Sequence, residues 1–249
     1  MPNLLILGGT TEASALAAAV AERGIPATLS YAGRTVAPRP QPVPVRVGGF
    51  GGVEGLACYL REERITHLVD ATHPFAAQIS ANAVAAAADA GVPLLALTRP
   101  DWQPVAGDRW TRVADLDAAV AALAGPSERV MLALGRMHVE AFAQQPQHFY
   151  LLRFVDVPEM PPKLPSHALV VDCGPFTVDG DHALLAAHGI ERVVCKNAGG
   201  SGAAAKLAAA RALGLPVVMI DRPALPERRE VHGVADVLDW VGHGVDRGV

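Results

Sequence analysis

Short apolar runs alternate with glycine-rich turns and alanine-rich segments along the whole chain. Leu4-Leu5-Ile6-Leu7 is stopped by Gly8-Gly9, and Thr11 to Ala21 are nearly all helix formers, a strand, glycine turn and helix in that order. Ala27-Thr28-Leu29-Ser30-Tyr31 reads as a second strand ending at Ala32-Gly33-Arg34. A proline-rich link (Pro38, Pro40, Pro42, Pro44) leads to Val45-Arg46-Val47, then to Gly48-Gly49-Phe50-Gly51-Gly52 and a helix over Val53 to Glu63. Ile65-Thr66-His67-Leu68-Val69 predicts a buried parallel strand, Asp70-Ala71-Thr72-His73-Pro74-Phe75-Ala76 its carboxyl end, and Gln78 to Ala90 the helix that follows. Val92 to Leu97 is another buried strand, closed by Thr98-Arg99-Pro100.

The second half repeats these signals in the same order. Leu4 to Gly8 matches Met131 to Gly135, Gly48-Gly49-Phe50 matches Gly174-Pro175-Phe176, and Val69 to Thr72 matches Val194 to Asn197. Gly91 to Pro100 matches Gly214 to Pro223, and Val113-Ala114-Asp115 matches Val234-Ala235-Asp236. The offset shrinks in one direction, as expected for two copies of one unit separated by small deletions. The alternation predicts an α/β fold of two tandem Rossmann-like units with mainly parallel sheets and a ligand cleft between them. The sequence boundary lies near Gly125-Pro126, which gives units 1–125 and 126–249. The irregular segments Asp101 to Arg112 and Ala224 to Val231 are candidates to cross between them.

Composition narrows the class. Apolar residues make up 51% and charged residues 18%, enough for a large core and against disorder. The formal charge of −4 and a pI near 6.1 argue against a general nucleic-acid binder. Cys58, Cys173 and Cys195 show neither a disulfide framework nor metal-ligand spacing. Met1-Pro2-Asn3 carries no basic segment, and the first apolar run ends early at Gly8. A soluble cytoplasmic protein is the expectation, with no membrane partner and a monomer allowed.

Candidate chemistry gathers at the strand ends. Gly8-Gly9-Thr10-Thr11-Glu12-Ala13 stands where a dinucleotide loop would, at a helix start whose N–H groups favour an anion. Thr10 and Ala13 replace the second and third glycines of GxGxxG, and an ordinary turn capped by Thr10 or Thr11 gives the same pattern. The second strand ends without an acid to hold a ribose 2′-OH, and Arg34 suits a 2′-phosphate, so a bound dinucleotide would be NADP(H). A solvated loop charge is the alternative for Arg34. Four glycines around Phe50 favour a ligand-facing loop over a plain hinge. Thr72 and His73 would project from their strand end, where His73 suits contact with a carboxylate or proton transfer, and capping or packing is the alternative. Lys196, one of three lysines, stands with Asn197, Gly199, Gly200 and Ser201 where a carboxylate or phosphate would bind. Arg99 and Arg222, in matching Arg-Pro positions, read either as ligand contacts or as ties between strand end and loop.

Taken together, Gly8 to Glu12, Gly48 to Gly52, Asp70 to Ala76, Cys195 to Gly200 and Arg222-Pro223 resemble the precorrin-6A reductase family of cobalamin biosynthesis over essentially the whole chain. The resemblance implies an NADPH-dependent oxidoreductase acting on a CH–CH group, which reduces one ring double bond of precorrin-6A to give precorrin-6B, without metal or flavin. Cobalt-free and cobalt-bound substrates both remain open. On this reading the first half holds NADPH through Gly8, Gly9, Thr10, Thr11, Arg34, Gly49, Phe50, Gly51 and Thr72. The tetrapyrrole substrate is held by His73, Lys196, Asn197, Gly199, Gly200, Ser201 and Arg222, with His73 and Lys196 the candidate catalytic groups. Rival classes are a nucleotide-sugar-dependent group transferase and a non-catalytic tetrapyrrole-binding protein.

Overall fold

The computed structural model describes residues 1–32, 40–172 and 174–243. The first strands and helices follow the predicted alternation: β1 (Leu4–Leu7), α1 (Thr11–Glu22), β2 (Ala27–Tyr31), β3 (Val45–Val47), α2 (Gly52–Glu62), β4 (His67–Asp70), α3 (Ala77–Ala90) and β5 (Leu94–Leu97). Next come β6 (Arg109–Val113), α4 (Leu116–Ala121), β7 (Arg129–Ala133), the short α5 (Arg136–Val139), β8 (Phe149–Phe154) and β9 (His167–Val171). The chain ends with α6 (Val178–Ala187), β10 (Arg192–Lys196), α7 (Ala205–Ala212), β11 (Pro216–Ile220), β12 (Glu230–Val231) and α8 (Val234–His243).

Two six-stranded parallel sheets result, ordered β3-β2-β1-β4-β5-β12 and β9-β8-β7-β10-β11-β6. Each has the doubly wound Rossmann order, in which the strand sequence reverses beside its first strand. The reversal lies between β1 and β4 in one sheet and between β7 and β10 in the other.

Continuous apolar strands are expected where helices cover both faces of a parallel sheet, and β1 shows it residue by residue. Leu4 and Ile6 join a core with Ala13, Leu16, Ala17 and Val20 of α1 and Val237 and Val241 of α8. Leu5 and Leu7 point to the opposite face, against Leu56, Ala57 and Leu60 of α2 and Ala83, Ala86 and Ala87 of α3. In the second sheet Met131, Val193, Cys195, Val217 and Met219 pack with Leu185 of α6 and Leu207, Ala209 and Ala210 of α7.

The sequence boundary near Gly125-Pro126 is not where the structure divides. One unit comprises Met1–Pro100 and Ala224–Val249, the other Asp101–Pro223. The cause is an exchange of the sixth strand. β6 follows β5 in sequence yet pairs with β11, Trp110 opposite Val217, while β12 returns to pair with β5, Glu230 opposite Ala96. Two copies of one pattern offer equivalent outer positions beside their fifth strands, so sequence periodicity alone does not say which copy an outermost strand joins.

The returning helix α8 rests its Trp240 edge-on against buried His67, with ring centroids 4.9 Å apart. Burial holds the His67 imidazole below the usual histidine range. His67 therefore stays neutral in the fold while the unfolded chain takes up a proton below about pH 6.5. Its contribution to stability is complete above that pH and is lost as pH falls through the folded value. His67→Gln should flatten the drop in melting temperature between about pH 7 and about pH 5. An unchanged slope would assign that drop to another group.

Candidate functional site

At the first reversal point the ends of β1 and β4 are tied together by one side chain. Thr10 caps α1, accepting from the Ala13 N–H at 3.1 Å, and donates its hydroxyl to the Ala71 carbonyl at 2.7 Å. Thr10 is thus the N-cap that the turn pattern allows, and its hydroxyl is already engaged. Thr11 is exposed, donating to the Glu12 carboxylate at 3.1 Å, and Arg99 forms an ion pair with Glu12 at 3.2 Å. Arg99 is accordingly a tie, and it offsets an acid that would repel an anion at the start of α1.

Asp70, at the end of β4, is 3% exposed. Its Oδ1 accepts from the Thr72 N–H at 3.1 Å and the Thr72 hydroxyl at 2.7 Å, and its Oδ2 accepts from Arg228. Thr72 also lies 3.2 Å from the Ser80 hydroxyl of α3. Thr72 is in this way fixed by Asp70 and Ser80, and Asp70 by an arginine from the segment leading into β12. His73 accepts the Phe75 N–H through Nδ1 at 3.2 Å, which places the proton of a neutral ring on Nε2.

The glycine loop after β3 is organised by Arg46. Its guanidinium donates to the Gly48 carbonyl at 2.5 Å, the Gly49 carbonyl at 2.7 Å and the Ser30 hydroxyl at 3.4 Å. It also lies over the Phe50 ring at 3.8 Å, and Phe50 meets Tyr59 of α2 edge-on at 5.2 Å. Gly51, with φ of 82°, begins α2. The glycines of this loop and of the first turns of α2 have different reasons to be glycine. A Cβ on Gly55 would lie 1.7 Å from the Phe50 carbonyl oxygen, so close packing forbids a side chain there. Gly49 has no positive φ, and a Cβ added to it would meet no atom within 4 Å, so the fold itself does not require a glycine. Gly8, in contrast, is crowded by Leu29, while Gly9, with φ of 117°, opens onto empty space. Arg34 lies outside the described residues.

The second reversal point is built by different chemistry. Lys196, at the end of β10, reaches across to His138 of α5, with Nζ and Nε2 2.9 Å apart. An ammonium can only donate, so His138 accepts. Asn197 is 2% exposed. Its Oδ1 accepts the Trp102 N–H at 2.8 Å and its Nδ2 donates to the Trp102 carbonyl at 3.0 Å. The Trp102 indole N–H donates to the Gly200 carbonyl at 2.7 Å, and Lys206 lies over the Trp102 ring at 4.7 Å. Burial pushes the Lys206 ammonium below its usual range. Arg222 donates to the Asn197 carbonyl at 3.0 Å and the Ala198 carbonyl at 3.2 Å. Gly199 and Gly200 have φ near 70° (70° and 72°), and Ser201 is exposed.

The predicted residues therefore form three groups. Gly9, Thr10, Thr72 and His73 gather at the first reversal point, Gly49, Phe50 and Gly51 form the loop held by Arg46, and Lys196 meets His138 at the second. The Asn197 and Arg222 side chains bond to loop backbone at this second point. Arg46, Arg228 and His138 are missed by sequence reasoning. The repeat contains the signal for His138, because Gly135-Arg136-Met137-His138 stands in register with Gly8-Gly9-Thr10-Thr11. Arg46 flanks the glycine loop, but a lone arginine in a short strand reads as an exposed edge residue. Nothing local points from Arg228 to Asp70. Among the described residues no cluster of His, Cys, Asp and Glu suits a metal ion, and no helix is long and apolar enough to cross a membrane.

Known proteins resemble this chain closely. A family model described as Precorrin-6x reductase CbiJ/CobK matches residues 3–242. A precorrin-6A reductase of Rhodobacter capsulatus is 57% identical over 251 residues, covering 100% of both chains. A precorrin-6A reductase of a Sinorhizobium species is 47% identical, covering 97% of this chain and 93% of its own. A solved structure titled CobK precorrin-6A reductase superposes with a TM-score of 0.93 at 57% identity, covering 98% of this chain and 97% of that one.

Proposed function

From the premise that this chain belongs to the precorrin-6x reductase family of cobalamin biosynthesis, we propose that it reduces one ring double bond of precorrin-6A with NADPH, giving precorrin-6B. The observation that carries the cofactor reading is the open approach at Gly49, a glycine the fold does not need, on the loop held by Arg46. A loop position with open space where a Cβ would stand admits a dinucleotide at close range, and the residues present fit NADPH.

NADPH, when bound, supplies the hydride. The start of α1, with Gly9 and the Thr10 turn, would hold its phosphates on backbone N–H groups. Thr72, fixed by Asp70 and Ser80, shapes the floor at the end of β4. His73, once protonated on both ring nitrogens and released from the Phe75 N–H, gives a proton from Nε2 to the carbon that does not receive the hydride and returns to the neutral ring, so that two hydrogens are added across one double bond. Lys196, oriented by His138, binds a substrate carboxylate. Fixed strand-end residues contribute chiefly by orienting the reactants.

Two variants separate these roles. His73→Ala should lower kcat at least about tenfold and leave NADPH affinity within about threefold. Loss of cofactor affinity would move His73 into the cofactor site. Lys196→Met should raise KM for the macrocycle about 10- to 100-fold, with a smaller change in kcat. The test of the function itself follows the near-ultraviolet absorbance of the reduced nicotinamide with purified protein and precorrin-6A, with NADH and a cobalt-bound substrate in parallel. Substrate-dependent oxidation of NADPH is expected. Tight tetrapyrrole binding without oxidation would replace the reductase by a carrier.

A further inference from the structure

We propose that Arg46, held beside Ser30 at the carboxyl ends of β2 and β3, reads the 2′-phosphate of NADPH and so sets the preference over NADH, an inference that rests on the NADPH reading above. In a unit with this strand order the end of the second strand lies beside the adenosine ribose, where an acid holds the 2′-OH and an arginine receives the 2′-phosphate. β2 ends in Leu29-Ser30-Tyr31 with no acid, and Ser30 is the ladder partner of Arg46. The guanidinium is 3.4 Å from the Ser30 hydroxyl.

Arg46 is also prepared for an anion. Two loop carbonyls and the Phe50 face fix its plane, so little side-chain freedom remains to be lost on binding. Its contacts engage three of the five guanidinium N–H donors. Among the described residues no carboxylate pairs with it, so its charge is not neutralised by the fold.

The second unit supplies an internal comparison. Phe176, in the counterpart Gly174-Pro175-Phe176, also lies under an arginine, with Arg153 at 3.8 Å. There the guanidinium is paired with buried Asp181. Of the two duplicated loops, the first alone keeps its stacked arginine without an acidic partner among the described residues. That difference assigns phosphate recognition to the first unit.

The test uses 2′,5′-ADP and 5′-AMP as probes in titration calorimetry with the whole protein. The wild type should bind 2′,5′-ADP more tightly than 5′-AMP. Arg46→Gln should weaken 2′,5′-ADP about 10- to 100-fold and change 5′-AMP by less than about threefold. Ser30→Asp leaves the loop clamp in place but sets a carboxylate beside the guanidinium, and should produce the same selective loss. Equal loss of both probes in Arg46→Gln, with no selective loss in Ser30→Asp, would make Arg46 a loop clamp and overturn the proposal. A preference that survives both substitutions would overturn it in favour of another cation, with Arg34→Gln the next variant. No preference in the wild type would overturn the NADPH reading itself.

Discussion

Replacing Arg228 with methionine is expected to destabilise the protein by about 3–5 kcal/mol. For a chain of this size that lowers the melting temperature by about 10 °C. The Arg228 and Asp70 side chains are 8% and 1% exposed, so neither charge has water to fall back on. Methionine preserves much of the arginine stem but leaves the Asp70 carboxylate buried beside the Thr72 hydrogen bonds without its cation. Removing one partner of a buried pair costs far more than removing both. Asp70→Asn combined with Arg228→Met should therefore be more stable than Arg228→Met alone by more than about 1 kcal/mol. Because Asp70 positions Thr72 at the first reversal point, NADPH affinity should fall in the single variant as well. Calorimetric melting of the two singles and the double decides the matter. An Arg228→Met protein within about 0.5 kcal/mol of wild type would show that the Asp70–Arg228 pair contributes no net stability to the fold.

The second large effect divides two glycines, one in the loop after β3 and one in the first turns of α2. Gly55→Ala should destabilise by about 3 kcal/mol or more, because its Cβ would overlap the Phe50 carbonyl oxygen at 1.7 Å and the obstructing atom is backbone. Either α2 or the loop must move, and Arg46 would lose its fixed carbonyls with it. Gly49→Ala meets no atom and should change stability by less than about 0.5 kcal/mol. Its effect should appear on the cofactor instead, as a loss of NADPH affinity of about tenfold or more, from a methyl group placed where the dinucleotide approaches. Thermal melting and NADPH titration of the two variants make the contrast directly. Unchanged NADPH affinity in Gly49→Ala would remove the observation on which the cofactor assignment rests.

The positions of the two reversal points were legible because each element carries its own local signal. Leu4 to Leu7 is apolar throughout because both faces of the strand are covered, and Gly8-Gly9 and Thr10 mark the turn and cap that follow. The same logic, carried through the repeat, finds Lys196 and its loop. The roles of individual side chains were less legible. Asn197 stands beside a lysine and three nearby glycines and resembles a ligand contact, yet both of its polar groups clamp Trp102, 95 residues away. Arg222 shares that pattern and holds two carbonyls of the same loop. A hydrogen-bonding side chain looks the same in sequence whether its partner is a ligand or the protein's own backbone.

By itself, then, the sequence determined the α/β class, the duplication, the apolar strands, the glycine turns and the two loops at which the chemistry is proposed, and it carried the family resemblance. These follow from periodicity and turn chemistry over a few residues, where backbone geometry and burial act locally. The tertiary structure decided which sheet β6 and β12 join, which arginine meets Asp70 across 158 positions, and which glycine opens onto space. Such outcomes depend on complementary groups meeting after the chain has folded. Strand spacing is the same in both copies of the repeat and does not choose between them.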